Sequence, residues 1–206
     1  MASLYNRFIL PRLLKCSCSA PPVMKLRAQV VPKAEGRVLE LGIGMGLNLA
    51  FYDPARVSSV TGVDPAAELR AIAEAAPHDP RLSVRVEDGT AETLPFEAAA
   101  FDCVVCTFTL CSVHTPDRAL SEARRVLKPG GRLLYCEHGL APDPEVAKWQ
   151  RRIEPVWKAI AGGCHLTRPV TTAIEAAGFK VIRRDSQYIP HAPRIAGWVE
   201  WGEARA

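Results

Sequence analysis

The stretch VLELGIGMGLN, residues 38–48, joins a short apolar run to a turn that contains three glycines. The run ends near Glu40, and Gly42, Gly44 and Gly46 follow at alternate positions. Glycine accepts positive φ angles and lets the backbone approach a ligand closely. In an open α/β sheet, such a turn lies at the carboxyl edge, where ligands bind at the topological switch point. We therefore expect a ligand-binding turn here; the alternative is a tight turn that binds nothing.

The spacing of these glycines distinguishes between classes of ligand. A dinucleotide fingerprint requires G-x-G-x-x-G, but Leu47 occupies the position of its third glycine, so the pattern is E-x-G-x-G-x-G. A nicotinamide reductase is therefore not expected. A P-loop is excluded because no Gly-Lys-Ser/Thr follows the turn. Glu40 and the glycine backbone suit a ligand that carries a charged amino-acid tail without a phosphate.

Short apolar runs alternate with helical patterns along the chain. Continuous β-branched and Leu-rich runs are typical of strands covered on both faces, and strand–helix alternation indicates a parallel sheet. We predict a Rossmann-like α/β fold with a central, mostly parallel seven-stranded sheet and helices on both faces. Strands are expected at 37–41, 59–63, 82–86, 101–107 and 132–136, with weaker candidates at 180–184 and 195–201. Helices are expected at 66–75, 116–127 (with Thr115 as N-cap), 143–160 and 170–177, and a turn at 128–131.

The length of 206 residues suits one domain with a complete core. We expect a single domain over 1–206. Within it we expect an N-terminal helical segment at 1–33, a cofactor-binding half at 34–140, and a substrate-side lid with the C-terminal strands at 141–206.

Composition and charge narrow the class of protein. Hydrophobic residues make up 48% of the chain, an ordinary share for a globular protein. The net charge of +4 is small, and the sequence lacks the clustered Lys/Arg stripe that is typical of a nucleic-acid binder. No run approaches the roughly 20 apolar residues that span a bilayer. The start of the chain lacks the continuous apolar core of a signal peptide, because Arg7, Pro11 and Arg12 interrupt it. We expect a cytoplasmic protein with no nucleic-acid partner and no transmembrane anchor; peripheral membrane contact and oligomeric state stay open.

The seven cysteines are irregularly spaced, which argues against a disulfide framework. Cys103 and Cys106 have CxxC spacing, but an offset of three along a strand sends side chains to opposite faces. They are therefore not expected to share a metal. No metal is predicted elsewhere, because the histidines are scattered. Cys111 and Cys164 are expected to pack rather than to act as nucleophiles.

Two acidic residues follow the next predicted strands. Asp64 ends the second strand about 20 residues after the glycine turn, where an acid reaches ribose hydroxyls. The alternative for Asp64 is a cap on the next helix, which Pro65 also favours. Asp88 follows the third strand and can accept a hydrogen bond from an adenine amino group, with the backbone at 89–91 completing the contact.

These motifs, over residues 34–140, resemble those of the class I S-adenosylmethionine-dependent methyltransferases. The resemblance implies a methyltransferase (EC 2.1.1) that uses S-adenosyl-L-methionine and releases S-adenosyl-L-homocysteine. The residues that we expect at the cofactor are Glu40, Gly42, Gly44, Gly46, Asn48, Asp64, Asp88, Gly89, Ala91 and Thr107.

A narrower resemblance lies farther along the chain. CTFTLCSV at 106–113, RVLKPGG at 125–131, Glu137-His138 and EPVWKAIAGGCHLTR at 154–168 resemble the thiol S-methyltransferase branch of the methyltransferase-like proteins and related bacterial small-thiol methyltransferases. It implies in-line methyl transfer to a small thiol: hydrogen sulfide, methanethiol or an alkyl thiol. The alternatives are a phospholipid or quinone methyltransferase and, in another class, a non-catalytic S-adenosylmethionine-binding module.

Thiol methylation does not require a strong dedicated base, because a thiol of pKa about 8.5 already offers some thiolate at neutral pH. Groups that hold the thiolate suffice. The catalytic candidates are His138, His165 and His114, each of which is otherwise an ordinary loop histidine. The helix that carries Trp149 and Trp157 is expected to cover the pocket.

Overall fold

The computed structural model describes residues 17–206, and seven strands in this part of the chain form one sheet. They are β1 (Gly36–Leu41), β2 (Val57–Asp64), β3 (Ser83–Asp88), β4 (Phe101–Thr107), β5 (Leu127–His138), β6 (Lys180–Tyr188) and β7 (Trp198–Arg205). Their order is β3-β2-β1-β4-β5-β7-β6. The first five strands run parallel, whereas β7 is antiparallel to both β5 and β6. The predicted Rossmann-like, mostly parallel sheet is confirmed.

Helices accompany the strands along the described chain. They are α1 (Pro21–Val30), α2 (Ala67–Glu74), α3 (Pro116–Val126), α4 (Pro144–Ile160), α5 (Val170–Ala176) and α6 (Arg194–Gly197). Two 3₁₀ turns, Val31–Lys33 and Leu49–Phe51, lie before β1 and between β1 and β2.

The sequence of α3 shows why such helices pack on the sheet. Leu120, Ala123 and Val126 recur on one face and are buried, while the other face is mostly charged. Pro116 occupies the first turn, where its missing N–H has no helical partner to lose. Thr115 is the N-cap residue, as predicted, but its side chain makes no capping hydrogen bond.

Two hydrophobic clusters lie on the two faces of the sheet. Successive strand residues point to opposite faces, so Val38 and Leu39 belong to different clusters. Cys103 and Cys106 are likewise divided between the two, as their offset of three predicts. Within residues 17–206, no group of three or more His, Cys, Asp or Glu side chains is placed to hold a metal ion.

The connection between α3 and β5 differs from the prediction. The expected turn at 128–131 is an irregularity inside β5. Leu127 already pairs with Phe101 of β4, and the register then shifts before Arg132 pairs with Cys103. The Lys-Pro-Gly-Gly segment is therefore flanked by paired residues on both sides.

The predicted strand at 195–201 was wrong at both ends. Arg194–Gly197 form α6, where the Ala196 amide donates to the Pro193 carbonyl at 2.9 Å. β7 then runs from Trp198 to Arg205. Polar residues interrupt the apolar pattern by which a strand is recognised in the sequence. Glu203 is one of them, although it is only partly exposed within the sheet.

The helix α1 packs against β5 and β7 through a face that includes Val23, Leu26 and Val30. It belongs to the predicted helical segment at 1–33, of which residues 1–16 lie outside the described part of the chain. Across residues 17–206, no helix combines the length and apolar character that a bilayer crossing requires.

Candidate functional site

The glycine turn after β1 uses left-handed backbone at three positions. Gly42, Gly44 and Gly46 have φ angles of 64°, 55° and 74°, a region that glycine adopts most readily. A Cβ at Gly42 would lie 2.6 Å from Cγ2 of Thr109, so this position also needs the missing side chain for space. A Cβ at Gly44 would meet no atom nearer than 3.8 Å. The turn thus exposes bare backbone at the carboxyl edge of the sheet.

Asp64, at the end of β2, holds this turn in place. The residue is 7% exposed, and its Oδ2 accepts a hydrogen bond from the Gly44 amide at 3.0 Å. Its Oδ1 accepts from the Ala66 amide at 2.9 Å, immediately before α2. Burial raises the pKa of Asp64 above its ordinary value, and the two amide bonds offset part of the rise. The carboxylate therefore links the glycine turn to the start of α2.

A cavity of about 480 Å³ lies where the carboxyl ends of β1 to β4 meet. Gly42, Gly44 and Asp64 line it, together with residues 89–92 after β3 and 107–109 at the end of β4. β4 follows β3 in the chain but pairs with β1, so the cavity lies at the switch point of the sheet. A volume of this size suits a small-molecule ligand.

The segment after β3 contributes two of the expected cofactor residues to the cavity. Gly89 and Ala91 line it. Asp88 does not: its side chain is 74% exposed and pairs with Arg70 at 2.7 Å. The structure therefore brings Gly89 and Ala91, but not the Asp88 carboxylate, to the cavity wall.

Glu40 belongs to a buried polar network beside the cavity. Its Oε1 accepts from the Asn48 amide at 2.9 Å, and its Oε2 accepts from the Tyr52 hydroxyl at 2.7 Å. Burial raises the pKa of Glu40 to about 7 despite these hydrogen bonds. Asn48 also donates to Oγ1 of Thr107 at 2.9 Å. Thr107 is a further expected cofactor residue that lines the cavity. Three other expected cofactor residues do not line it: Glu40, Asn48 and Gly46.

A second buried glutamate shapes the loop after β4. Glu137 accepts hydrogen bonds from the amides of Thr109 at 2.8 Å and Cys111 at 3.2 Å. Burial raises the pKa of Glu137, while these amide bonds lower it. Phe108 in the same loop has a φ of 55°, uncommon for an aromatic residue, and its amide donates to the Cys136 carbonyl at 2.8 Å. Such backbone persists where the surroundings hold it, often at ligand sites.

The three candidate histidines occupy different environments. His114 is exposed and lines the cavity. His138 lies against Phe108, with ring centroids 5.1 Å apart, and its Nδ1 is buried without a hydrogen-bond partner. Burial lowers the pKa of His138 to about 4. His165 Nδ1 lies 3.0 Å from Oε1 of Glu154. Of these three histidines, the structure brings only His114 to the cavity wall.

Two cavity residues come from a segment to which sequence reasoning assigned no site. Cys18 and Arg27, the latter on α1, both line the cavity. Arg27 is 5% exposed, and its Nη1 donates to Oδ1 of Asn48 at 2.8 Å and to Oγ1 of Thr107 at 2.6 Å. Its guanidinium carbon lies 5.1 Å from the ring centroid of Phe108. An N-terminal helix thus closes part of a site that is otherwise built from strand ends.

Known proteins are similar to this chain in sequence and in fold. A family model described as a methyltransferase domain matches residues 39–135. Thiol S-methyltransferase TMT1B of Rattus norvegicus is 39% identical over 172 residues, which cover 79% of this chain and 70% of that protein. The protein of the same name from Homo sapiens is 37% identical over 176 residues, covering 80% and 71%. A crystal structure of an S-adenosylmethionine-dependent methyltransferase from Thermotoga maritima shares the fold, with a TM-score of 0.68 at 24% identity, covering 98% of this chain and 97% of that one.

Proposed function

Because this chain belongs to the family of S-adenosylmethionine-dependent methyltransferases that includes the thiol S-methyltransferases, we propose that it methylates the sulfur of a small thiol. The observation that carries this proposal is its similarity to the rat and human thiol S-methyltransferases over about four fifths of the chain. Hydrogen sulfide, methanethiol and simple alkyl thiols are the proposed acceptors. S-adenosyl-L-homocysteine is the second product.

The described residues fit S-adenosylmethionine as the cofactor. We assign the ribose to Asp64, because a buried carboxylate can accept hydrogen bonds from two hydroxyls, and the adenine to the segment with Gly89 and Ala91. The open space at Gly44 leaves room for the amino-acid part. When bound, this cofactor supplies an electrophilic methyl group on a positively charged sulfur.

The part that we assign to the chain itself is to orient the reactants and to exclude water. Phe108 and Val113 give the cavity apolar surface beyond the end of β4, and Ala161 adds to it after α4. Apolar walls favour a displacement in which opposite charges cancel, because separated charges are costly to bury. We assign to His114, which is exposed and lines the cavity, the role of holding the thiolate. His138 and His165 then act by holding the surrounding loops.

We expect the purified chain to methylate small thiols at a rate that follows the thiolate fraction. A thiol of lower pKa should therefore reach its maximal rate at a lower pH, because the cavity holds the nucleophile without requiring a strong base. Thiols of graded pKa are incubated with labelled S-adenosylmethionine, and methyl transfer to sulfur is followed across pH.

A quinone, a phospholipid and an alcohol matched to one of the thiols serve as control acceptors in that assay. His114→Gln should lower the turnover of thiols while leaving S-adenosylhomocysteine binding intact, and His78→Gln, a change away from the cavity, should alter neither. A chain that binds cofactor yet ignores every thiol and methylates a quinone or phospholipid contradicts the thiol assignment.

Asp64→Ala is expected to weaken the binding of S-adenosylhomocysteine roughly 10- to 100-fold, since a charged acceptor is worth about 1–3 kcal/mol. The melting temperature should also fall, because the Gly44 and Ala66 amides lose their acceptor. Calorimetric titration and thermal unfolding on one preparation measure both effects. Asp102→Ala is the matched control: that carboxylate accepts from the Arg37 amide at 2.8 Å but does not line the cavity. Unchanged affinity in folded Asp64→Ala protein would leave Asp64 with the capping role alone.

A further inference from the structure

Arg27 is a buried cation whose hydrogen-bonding capacity is only partly used. Its Nη1 is engaged by Asn48 and Thr107, both uncharged. Its Nε is buried and has no hydrogen-bond partner. A guanidinium presents its N–H donors in one planar fork. Since these bonds leave Nε unused, the guanidinium of Arg27 can donate hydrogen bonds to a further acceptor.

The described chain supplies no carboxylate to this guanidinium. Among residues 17–206, no Asp or Glu forms an ion pair with Arg27 within 4.0 Å. Residues 1–16 contain neither Asp nor Glu. The carboxyl of Glu40 is separated from Arg27 by Asn48, which bonds to both. The two charges still interact, since Arg27 lowers the pKa of Glu40 against the effect of burial. A buried guanidinium without a directly bonded carboxylate is costly, and the ring of Phe108 also offsets part of that cost.

The position of Arg27 in the cavity indicates which anion could pair with its guanidinium. Asp64 ends β2 and Thr107 ends β4, with β1 between them, so the two ends of the cavity floor lie roughly 10 Å apart. If the adenosine of the cofactor occupies the Asp64 side, its amino-acid tail extends across the glycine turn toward the Thr107 side. Arg27 lines the cavity there.

We propose that Arg27 binds the α-carboxylate of the amino-acid tail of S-adenosylmethionine, and of its product, through the unused part of its guanidinium. The helix α1 thereby becomes part of the cofactor site, and a bound cofactor fastens α1 to the ends of β1 and β4. This role concerns the cofactor alone and holds whichever acceptor is methylated.

Calorimetric titration with two ligands tests this role without any acceptor. The probes are S-adenosylhomocysteine and 5′-S-(3-aminopropyl)-5′-thioadenosine, which differs from it by the loss of the carboxylate. The wild type should prefer S-adenosylhomocysteine by about 10- to 100-fold, as expected for a charge-assisted hydrogen bond. Arg27→Gln should reduce this preference to less than about threefold, and Arg27→Lys should give an intermediate value.

The preference is a ratio measured on one preparation, so partial misfolding of a variant does not mimic the effect. Arg56→Gln is the matched control, because Arg56 is an exposed arginine that pairs with Glu35 and does not line the cavity. It should keep the wild-type preference. A preference that survives Arg27→Gln, or its absence in the wild type, overturns the proposal.

Hydrogen exchange of the wild type provides a second measurement that needs no variant. S-adenosylhomocysteine should slow the exchange of the α1 amides, residues 21–30, more than the decarboxylated analogue does when both ligands are saturating. Equal protection by the two ligands would also overturn the proposal. A failure to methylate thiols would leave both measurements unaffected, so the two ideas stand or fall separately.

Discussion

Gly42→Ala is expected to lower the free energy of unfolding by roughly 2–5 kcal/mol and to abolish measurable S-adenosylhomocysteine binding. Left-handed backbone at a residue with a side chain costs roughly 1–2 kcal/mol. The added methyl group would also lie 2.6 Å from Cγ2 of Thr109, and such overpacking costs roughly 1–3 kcal/mol more. Urea denaturation and calorimetric titration measure the two losses.

Gly130→Ala provides the control for Gly42→Ala. Gly130 has a comparable φ of 75°, but a Cβ there meets nothing within 4 Å. Gly130→Ala should therefore cost only the free energy of placing a side chain on left-handed backbone, and it should leave cofactor binding intact. The Gly42→Ala/Thr109→Ala double variant should recover part of the lost stability relative to the sum of the single changes. Equal costs for Gly42→Ala and Gly130→Ala would show that the contact with Thr109 has no energetic weight.

Glu40→Gln is expected to change how stability depends on pH. The pKa of Glu40 is about 7 in the folded chain against an ordinary 4.5, so folding favours its protonated form. That contribution is fully present below about pH 4.5 and is lost as the pH rises through about 7. Between about pH 5 and pH 8, the wild type should therefore lose about 2–3 kcal/mol relative to the glutamine variant.

The measurement is a series of urea unfolding curves for both proteins across this pH range. Glutamine keeps the size of the side chain and an acceptor for Asn48 or Tyr52, so the difference reports mainly the charge. Glu145→Gln, at an exposed residue on α4, controls for the loss of one surface charge. Parallel stability curves for wild type and Glu40→Gln would mean that Glu40 stays ionised throughout.

The parts of the fold that could be predicted from the sequence are those with local signals. β1 and β4 are mostly apolar runs, and the glycine turn after β1 could be located because three glycines alternate there, each of which adopts left-handed backbone. Gly42, Gly44 and Asp64 do meet at one cavity because strand ends in a parallel sheet share an edge. The bounds of β7 could not be predicted as well, because its pairing with β5 is non-local and its own residues include several polar ones.

The residues that sequence reasoning missed reach the cavity through tertiary packing. Arg27 stands among buried α1 residues, including Val23 and Val30 at helical spacing, so a charge on an otherwise apolar face was the one available signal. Which histidine faces the cavity depends on loop paths that no local pattern encodes. Motif proximity favoured His138 and His165, but His114 is the one that lines the cavity.

The placement of β7 between β5 and β6 constrains the order in which the sheet can assemble. β6 is made before β7, yet its described strand partner is β7, so β6 has no edge to join until residues 198–205 have been synthesised. A nascent chain that has emerged only as far as α6 can align β1 to β5 but must leave the exposed edge of β5 without its neighbour. An unpaired edge of that kind is where sheets join one another wrongly. We therefore expect the edge of β5 to be open to wrong strand pairing during the interval before β7 emerges, and the slow formation of the non-local β5–β7 pair prolongs that interval.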